Sequence, residues 1–206
     1  MNTKSIAILG CTGHVGKNLI FNFKKEKKFN LFLFSRDGRK IKKVIADCNL
    51  QDGFNIKNYE QFNESKYDAI INCIGLSDPA KIIEVNNSIL EITEKYDSMI
   101  LDYLKEHTLV NYVNFSSGAV YGGNFISAVN DSTKIKTPNH KISPYALSKI
   151  KAEIKHRKLK NFNIIDVRLF SFFSRFMDIK AKFLISEIVS SIIALMYLKL
   201  KAGSTI

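Results

Sequence analysis

SIAILGCTGHVG, residues 5–16 of the chain, decides the fold. A short apolar run ends at Gly10, and residues 15–25 have helical character. Gly10 permits a tight turn, Gly13 lets the backbone approach a pyrophosphate, and Gly16 allows the helix to pack closely, while the helix N-terminus offers unpaired N–H groups to an anion. Because the glycines follow a buried strand, we favour a nucleotide-binding turn over a glycine-rich loop without a ligand. The residues between the glycines are counted with the same site: Thr12, His14 and Val15.

Strand-like and helix-like segments continue to alternate along the rest of the chain, which predicts a parallel sheet covered by helices on both faces. We expect further strands at 30–35, 67–75, 109–116 and 163–170, a short strand around 43–46, and helices within 79–106, 145–159 and 183–198. The predicted fold class is therefore α/β, a doubly wound parallel sheet of the Rossmann type. We assign this domain to residues 1–174 and treat residues 175–206 as a short C-terminal segment.

Composition narrows the possible partners. The chain has 206 residues, is 46% hydrophobic and carries a formal net charge of +12. Its lysines lie in scattered pairs, which favours compositional bias over a nucleic-acid partner, although a phosphate-bearing ligand would exploit the same positive field. The most apolar stretch, residues 183–200, is interrupted by Ser186 and Glu187. We therefore expect a buried or partner-facing helix there and no membrane span.

The cysteines and histidines predict neither a metal site nor disulfides. Cys11, Cys48 and Cys73 follow no paired spacing, and the four histidines show no spacing typical of metal ligands. The first apolar run, residues 6–9, is far too short for a signal peptide, so the expected location is cytoplasmic.

The end of the second predicted strand bears on the choice between the two nicotinamide cofactors. An acidic residue there binds the ribose 2′-hydroxyl of NAD, whereas this chain continues with Ser35 and Arg36 before Asp37. Arg36 can pair with a 2′-phosphate and Ser35 can donate to it. The sequence therefore favours NADP(H), while NAD(H) stays possible because Asp37 could take the hydroxyl-binding role if the strand end shifts.

Two further segments contain groups suited to proton transfer. Ser117 follows a predicted strand, and Tyr145 and Lys149, four residues apart, share one face of a predicted helix that opens at Pro144. A phenol is a poor base at neutral pH, and a neighbouring ammonium would favour the phenolate. A serine hydroxyl could then hold the substrate oxygen in line.

In chain order these segments are GxxGxxG, SSGAVYG at 116–122 and PYALSK at 144–149. The combined pattern resembles the extended short-chain dehydrogenase/reductase superfamily, in particular the NAD(P)-dependent epimerase/dehydratase family acting on nucleotide sugars, and the resemblance runs over about residues 5–174. It implies that Tyr145 is the acid/base, that Lys149 holds the nicotinamide ribose and supports Tyr145, and that Ser117 hydrogen-bonds the reacting sugar oxygen. Two further cofactor-lining positions are implied: Gly75 and Asn86.

Departures from the family pattern narrow the reaction. The dehydratases carry an acidic residue, and the fucose-synthase type a cysteine, where this chain has Gly118 and Ala119. Dehydration and double epimerisation are therefore disfavoured, and hydride transfer at a single carbinol carbon is the reaction that we expect. Arg36 favours an NADP(H)-dependent keto-sugar reductase acting on a nucleotide-activated sugar, with an NAD-dependent nucleotide-sugar 4-epimerase or a non-catalytic dinucleotide-binding protein as alternatives. The family's strand-end RxxN element is also altered. Ser171, three residues after Arg168, stands where the family usually has an asparagine.

The resemblance further implies a homodimer, in which the helices around 89–104 and 145–159 pair with their symmetry mates. It also implies a longer C-terminus, since family members continue into a smaller lobe that grips the substrate, whereas 32 residues follow Ser174 here. We therefore expect a shortened family member with only a vestigial substrate lobe, one apolar helix at 183–198 and a frayed tail at 201–206.

Overall fold

The computed structural model describes residues 3–26, 28–50, 53–75, 88–122, 128–130, 132–135, 142–181 and 184–203, with the main chain alone for 198–203. Within these residues the strands form one six-stranded sheet in the order β3-β2-β1-β4-β5-β6, and every neighbouring pair is parallel. Its strands are β1 (Lys4–Leu9), β2 (Phe29–Phe34), β3 (Asn55–Lys57), β4 (Ala69–Asn72), β5 (Asn111–Ser117) and β6 (Asn163–Leu169). The strand order confirms the predicted doubly wound Rossmann sheet, whose direction of winding reverses between β1 and β4.

Helices connect the strands as the alternation predicted. They are α1 (His14–Phe23), α2 (Gly38–Asp47), α3 (Ser88–Glu106), α4 (Pro144–Lys158) and α5 (Leu184–Gly203), with short 3-10 helices at Tyr59–Glu64 and Gly118–Tyr121. The predicted crossover helix is thus α3, while residues 79–87 of that prediction lie outside the described residues.

The short strand predicted around 43–46 is wrong, because these residues belong to α2. Ile41, Val44 and Ile45 are buried at helical spacing, and the basic residues between them are exposed. Asp37 caps the helix by accepting a hydrogen bond from the Arg39 N–H at 3.0 Å. The third strand is instead β3, which pairs with β2 at the edge of the sheet.

Two apolar cores cover the two faces of the sheet. Side chains alternate between faces along β1, so that Ile6 and Ile8 join one core while Ala7 and Leu9 join the other. Helices α1 and α2 complete the core that contains Ile6 and Ile8, and α3 completes the core that contains Ala7 and Leu9. Helices on both faces leave the carboxyl ends of the strands as the open edge, where ligands bind in folds of this kind.

The last helix departs slightly from its predicted bounds. Helix α5 continues to Gly203, so the frayed tail predicted at 201–206 is wrong for 201–203, and 204–206 lie outside the described residues. In the part of the chain that is described, no helix combines the length and apolar character required to cross a bilayer.

Candidate active site

The glycine turn between β1 and α1 has the geometry that the sequence predicts. Gly10 has φ +68°, and a Cβ there would lie 2.8 Å from the carbonyl carbon of Cys73. A Cβ on Gly16 would lie 2.6 Å from the Cα of Cys11. Both glycines are therefore required for close approach of backbone segments.

Gly13 differs from these two glycines because its surroundings are open. It is the N-terminal cap of α1, it is exposed, and a Cβ there would meet only the carbonyl oxygen of Gly10, at 3.3 Å. The space over Gly13 and the first turn of α1 is the place where backbone N–H groups can approach an anion. Thr12 and Val15 flank this space and are half-buried.

His14, counted with this turn, has a second contact that the sequence did not predict. Its Nε2 lies 2.8 Å from the Ser174 hydroxyl, and its ring centroid lies 4.8 Å from that of Phe172. Burial, with Lys17 nearby, lowers the pKa of His14 below its ordinary value. The imidazole therefore joins the glycine turn to the segment that follows β6.

The end of β2 is organised by a turn of polar contacts. The buried Ser35 hydroxyl donates to the carbonyl of Asp37 at 3.0 Å and accepts from the Asp37 N–H at 3.1 Å. The Asp37 carboxylate accepts hydrogen bonds from the main chain and side chain of Arg39, which lower its pKa. Arg36 is exposed, and no hydrogen bond or ion pair with any other described residue engages its guanidinium.

Lys149 is the most buried of the predicted catalytic residues, with 5% of its surface exposed. Its ammonium donates to the Phe115 carbonyl at 2.7 Å, and it lies 3.5 Å from the point that a Cβ on Gly75 would occupy. Burial lowers the pKa of Lys149 to about 8. The ammonium therefore lies where β4 and β5 end.

Tyr145 and Ser117 lie on the two elements that meet beside Lys149. Tyr145 is in the first turn of α4, which Ser143 caps by accepting a hydrogen bond from the Ala146 N–H at 3.2 Å. Ser117 ends β5, and its Oγ accepts from the Ala119 N–H at 3.2 Å. This contact occupies a lone pair and leaves the hydroxyl hydrogen for another acceptor. Asn86, the remaining predicted site residue, lies outside the described residues.

The sequence did not predict the role of Arg168. Its guanidinium donates to the fully buried Glu153 at 2.6 Å and also to the Tyr121 hydroxyl. Glu153 further accepts from Ser116 at 2.6 Å and from Arg157 at 2.9 Å. Arg168 is therefore part of a buried ion-pair network that joins β6 to α4 and to the 3-10 turn beside Ser117.

A second buried network surrounds His156, also on α4. Its Nε2 lies 2.7 Å from Asp97 of α3, and its Nδ1 lies 2.8 Å from Asp166 of β6. A signal for both networks is present in the sequence: Tyr145, Lys149, Glu153 and His156 recur at spacings of four, four and three. That is a polar stripe on the helix face that a core would normally keep apolar.

No group of three His, Cys, Asp or Glu side chains in the described part of the chain is arranged to hold a metal ion. The three cysteines are free thiols. At the carboxyl edge of the sheet, the described residues that can transfer protons or donate hydrogen bonds are Ser117, Tyr145 and Lys149.

None of the curated proteins matches the chain. Among solved structures, it is similar to a UDP-N-acetylglucosamine 4-epimerase from Methanobrevibacter ruminantium, with TM-score 0.72, 14% identity and 94% of this chain covered. It is also similar to a dTDP-glucose 4,6-dehydratase from Bacillus anthracis, solved with NAD, with TM-score 0.71, 18% identity and 93% of this chain covered. A UDP-Glc/GlcNAc 4-epimerase from Campylobacter jejuni gives TM-score 0.66 and 16% identity over 80% of this chain.

The chain spans 64%, 62% and 53% of the lengths of these three structures, respectively. At these identities the structural likeness concerns the fold. The sequence profile of one family, described as the NAD dependent epimerase/dehydratase family, matches residues 6–204, almost the whole chain. The chain therefore belongs to the NAD dependent epimerase/dehydratase family.

Proposed function

We propose that the chain binds a nicotinamide dinucleotide across the carboxyl edge of the sheet and transfers hydride at one carbinol of a nucleotide-activated sugar. The observation that carries this proposal is the position of Lys149. Its buried ammonium lies beside Gly75, at the end of β4, and one helical turn from Tyr145, while it donates to the strand that ends at Ser117. One cation thus links the cofactor side of the cleft to both proton-handling hydroxyls.

The glycine turn fits a dinucleotide. Gly10 and Gly16 close the turn against backbone, and Gly13 leaves the first turn of α1 open. A pyrophosphate lying there would accept from backbone N–H groups, and the nicotinamide would lie near Gly75 and Lys149. When bound, the dinucleotide supplies the hydride donor or acceptor.

The chain's own residues handle the proton. Tyr145 exchanges it with the substrate oxygen, and the Lys149 ammonium favours the phenolate that results. The Ser117 hydroxyl donates to the same oxygen and holds it in line. A Cβ added at Gly118 would lie 2.5 Å from the Phe170 ring, so an acidic side chain at this position would require that ring to move. This packing supports chemistry without the second proton transfer of a dehydratase.

For the cofactor, we propose NADP(H) and a keto-sugar reductase. Arg36 is exposed at the end of β2, where a 2′-phosphate would lie, and the Asp37 carboxylate is held by Arg39. The second candidate is an NAD-dependent 4-epimerase. The Arg39 side chain is 91% exposed, and ion pairs at the surface are weak, so a ribose hydroxyl could displace it from Asp37.

The test incubates the chain with NADPH or NADH and a panel of keto- and hydroxy-sugar nucleotides. A reductase oxidises NADPH or NADH when a keto-sugar nucleotide is present, so the absorbance of the reduced nicotinamide falls. An epimerase interconverts two sugar nucleotides, which chromatography resolves, without a net loss of that absorbance. Tyr145→Phe should bind cofactor normally and turn over about 100-fold more slowly, the scale of acid–base catalysis. The control is Tyr197→Phe on α5. Cofactor binding without any turnover, or a fully active Tyr145→Phe, would contradict the proposal.

A further inference from the structure

His156 holds two carboxylates together inside the protein. Its Nε2 is 2.7 Å from Asp97 Oδ1 and its Nδ1 is 2.8 Å from Asp166 Oδ1. The side chains of His156 and Asp97 are each 2% exposed. Both ring nitrogens face acceptors, so both act as donors and the ring is an imidazolium. Burial opposes that charge, but the hydrogen bonds from the ring to the two carboxylates outweigh it and raise the pKa of His156 to about 9.

We name these three residues the charge cluster, and its contacts reach both neighbouring strands. Asp97 accepts from the Tyr112 hydroxyl at 3.0 Å, and Tyr112 accepts from Asn72 at 3.1 Å. Asp166 accepts from Asn114 at 2.7 Å. The cluster thus joins α3, α4 and β6 to polar groups on β4 and β5, the strands whose ends surround Lys149.

The charge cluster carries one net negative charge, because two carboxylates flank one imidazolium. At its outer edge Lys155 lies 3.2 Å from Asp97 and 2.9 Å from the exposed Glu94. His156 is therefore faced by carboxylates from α3 and β6 and by the Tyr112 phenol from β5, whose ring centroid lies 5.4 Å from that of the imidazole.

The same carboxylates act on Lys149, two helical turns before His156 on one face of α4. Burial disfavours its ammonium, and the carboxylates of Asp166 from β6, Asp97 from α3 and Glu153 from α4 oppose that effect by attraction. Cys73, just after β4, also faces it, but burial raises the pKa of that thiol and keeps it neutral. Arg168 and Arg157 neutralise Glu153 through their ion pairs with it. Asp97 and Asp166 share the His156 imidazolium, and Lys155 is shared between Asp97 and Glu94. These three carboxylates and two cations together keep one net negative charge.

We propose that the charge cluster of Asp97, His156 and Asp166 positions Lys149, by fixing α4 against α3 and β6 and by supplying the net negative charge that keeps the buried ammonium protonated. The three are positioning residues that act through Lys149. The consequence for catalysis rests on the proposed function, but the titration of Lys149 does not, since it can be followed without cofactor or substrate.

Two variants change the charge of the cluster in opposite directions. His156→Gln removes the cation and leaves two carboxylates. The double variant Asp97→Asn with Asp166→Asn removes both carboxylates, and without them the buried imidazole loses its proton, so the net charge of the cluster rises by one. Asp102→Asn, an exposed carboxylate on α3 that pairs with Lys105, is the matched control.

The measurement is the pH titration of the lysine ¹³Cε signals by NMR, in which the Lys149 signal is the one missing from Lys149→Met. His156→Gln should raise the Lys149 midpoint and the double variant should lower it, each by about one pH unit, the size expected for one added or removed charge in a partly buried site. Asp102→Asn should leave it unchanged. A merely structural cluster would let water reach Lys149 in both variants and raise the midpoint in both, and that result would overturn the proposal.

The unmodified chain gives a second measurement, which needs only the Lys149→Met variant that assigns the signal. If the charge cluster acts on Lys149, then Lys149 and His156 titrate as a coupled pair. The titration curve of Lys149 is then broader than that of an independent site. A curve that fits one independent site would overturn the proposal. If Lys149 titrates as expected and the chain turns over no sugar nucleotide, the proposed function fails and the proposed electrostatic coupling stands.

Discussion

At the residue scale, substitutions of two glycines in the turn test packing and ligand binding separately. Gly16→Ala forces a Cβ to within 2.6 Å of Cys11 and 2.7 Å of the Gly10 carbonyl oxygen, both backbone atoms that cannot move cheaply. We expect a loss of about 1–3 kcal/mol in the free energy of unfolding, the usual cost of overpacking. Urea unfolding measures it.

Gly13→Ala is the matched control for stability, because its Cβ would meet only one atom, at 3.3 Å. We expect its free energy of unfolding to stay within about 1 kcal/mol of that of the unmodified chain. Its affinity for a dinucleotide, measured by calorimetry, should fall by about tenfold, since the methyl group would occupy the space that we propose for the phosphate. Equal stability losses in the two variants would show that the turn is not packed as described.

Arg36 provides the residue-scale test of cofactor choice. Arg36→Ala should weaken NADPH binding by about tenfold or more and change NADH binding little, because only NADPH would lose a charge-assisted bond to phosphate. Lys43→Ala removes a similar exposed cation from α2 and controls for the general positive field. Calorimetric titration with both cofactors decides, and equal losses for the two would reject the NADP(H) preference.

At the element scale, the sequence predicted best where a pattern had one interpretation. The GxxGxxG turn, β1 and α1 were predictable because the glycines mark the turn and the apolar run marks the strand. The strand predicted around 43–46 was wrong because a short run ending in Val44 and Ile45 suits either a strand or a helix, and the capping contact of Asp37 favours the helix.

Helix α4 shows what the sequence could not predict. Tyr145 and Lys149 were recognisable by their spacing. Nothing in the sequence around His156 indicates that its ring contacts two carboxylates. Asp97 and Asp166 are 59 and 10 residues away from it, and only the packing of α3 and β6 against α4 brings them together.

The charge cluster makes stability depend on pH. The folded-state pKa of His156, about 9, lies above its ordinary value of 6.5, so its stabilisation is fully present below pH 6.5 and is lost as the pH rises through about 9. We expect a loss of about 3 kcal/mol between pH 6 and pH 10, measured by urea unfolding. His156→Gln should show a much flatter dependence, whereas His107→Gln should retain it. An unchanged slope in His156→Gln would contradict this.

The acid side of the profile has a different origin. Burial raises the pKa of the Asp97 carboxyl, but His156 and Lys155 outweigh that effect and hold it below its ordinary value. Its contribution to stability is therefore present above the ordinary carboxyl pKa and is lost as the pH falls below it. Stability should consequently be greatest between about pH 4 and 6.5 as far as these groups decide it.

At the scale of the whole molecule, exposed apolar surface is concentrated after β5. The exposed large apolar side chains include seven on α5: Leu184, Ile188, Ile192, Ile193, Leu195, Met196 and Tyr197. Phe170, Phe173 and Ile179 add to them from the segment between β6 and α5. In the described part of the chain, no exposed large apolar side chain lies on α3 or α4, the helices through which the family resemblance implies a homodimer.

This distribution predicts how the chain associates. Contiguous apolar surface of this kind favours contact with other molecules, so we expect the chain to self-associate with rising concentration, measured by sedimentation velocity. Ile192→Glu and Met196→Glu should each reduce association without lowering the melting temperature, because both side chains are already exposed. Lys95→Glu reverses an exposed charge on α3 and should leave association unchanged. If Lys95→Glu alone disrupts the assembly, the interface lies on α3, as the family resemblance implies, and the apolar surface of α5 plays no part in it.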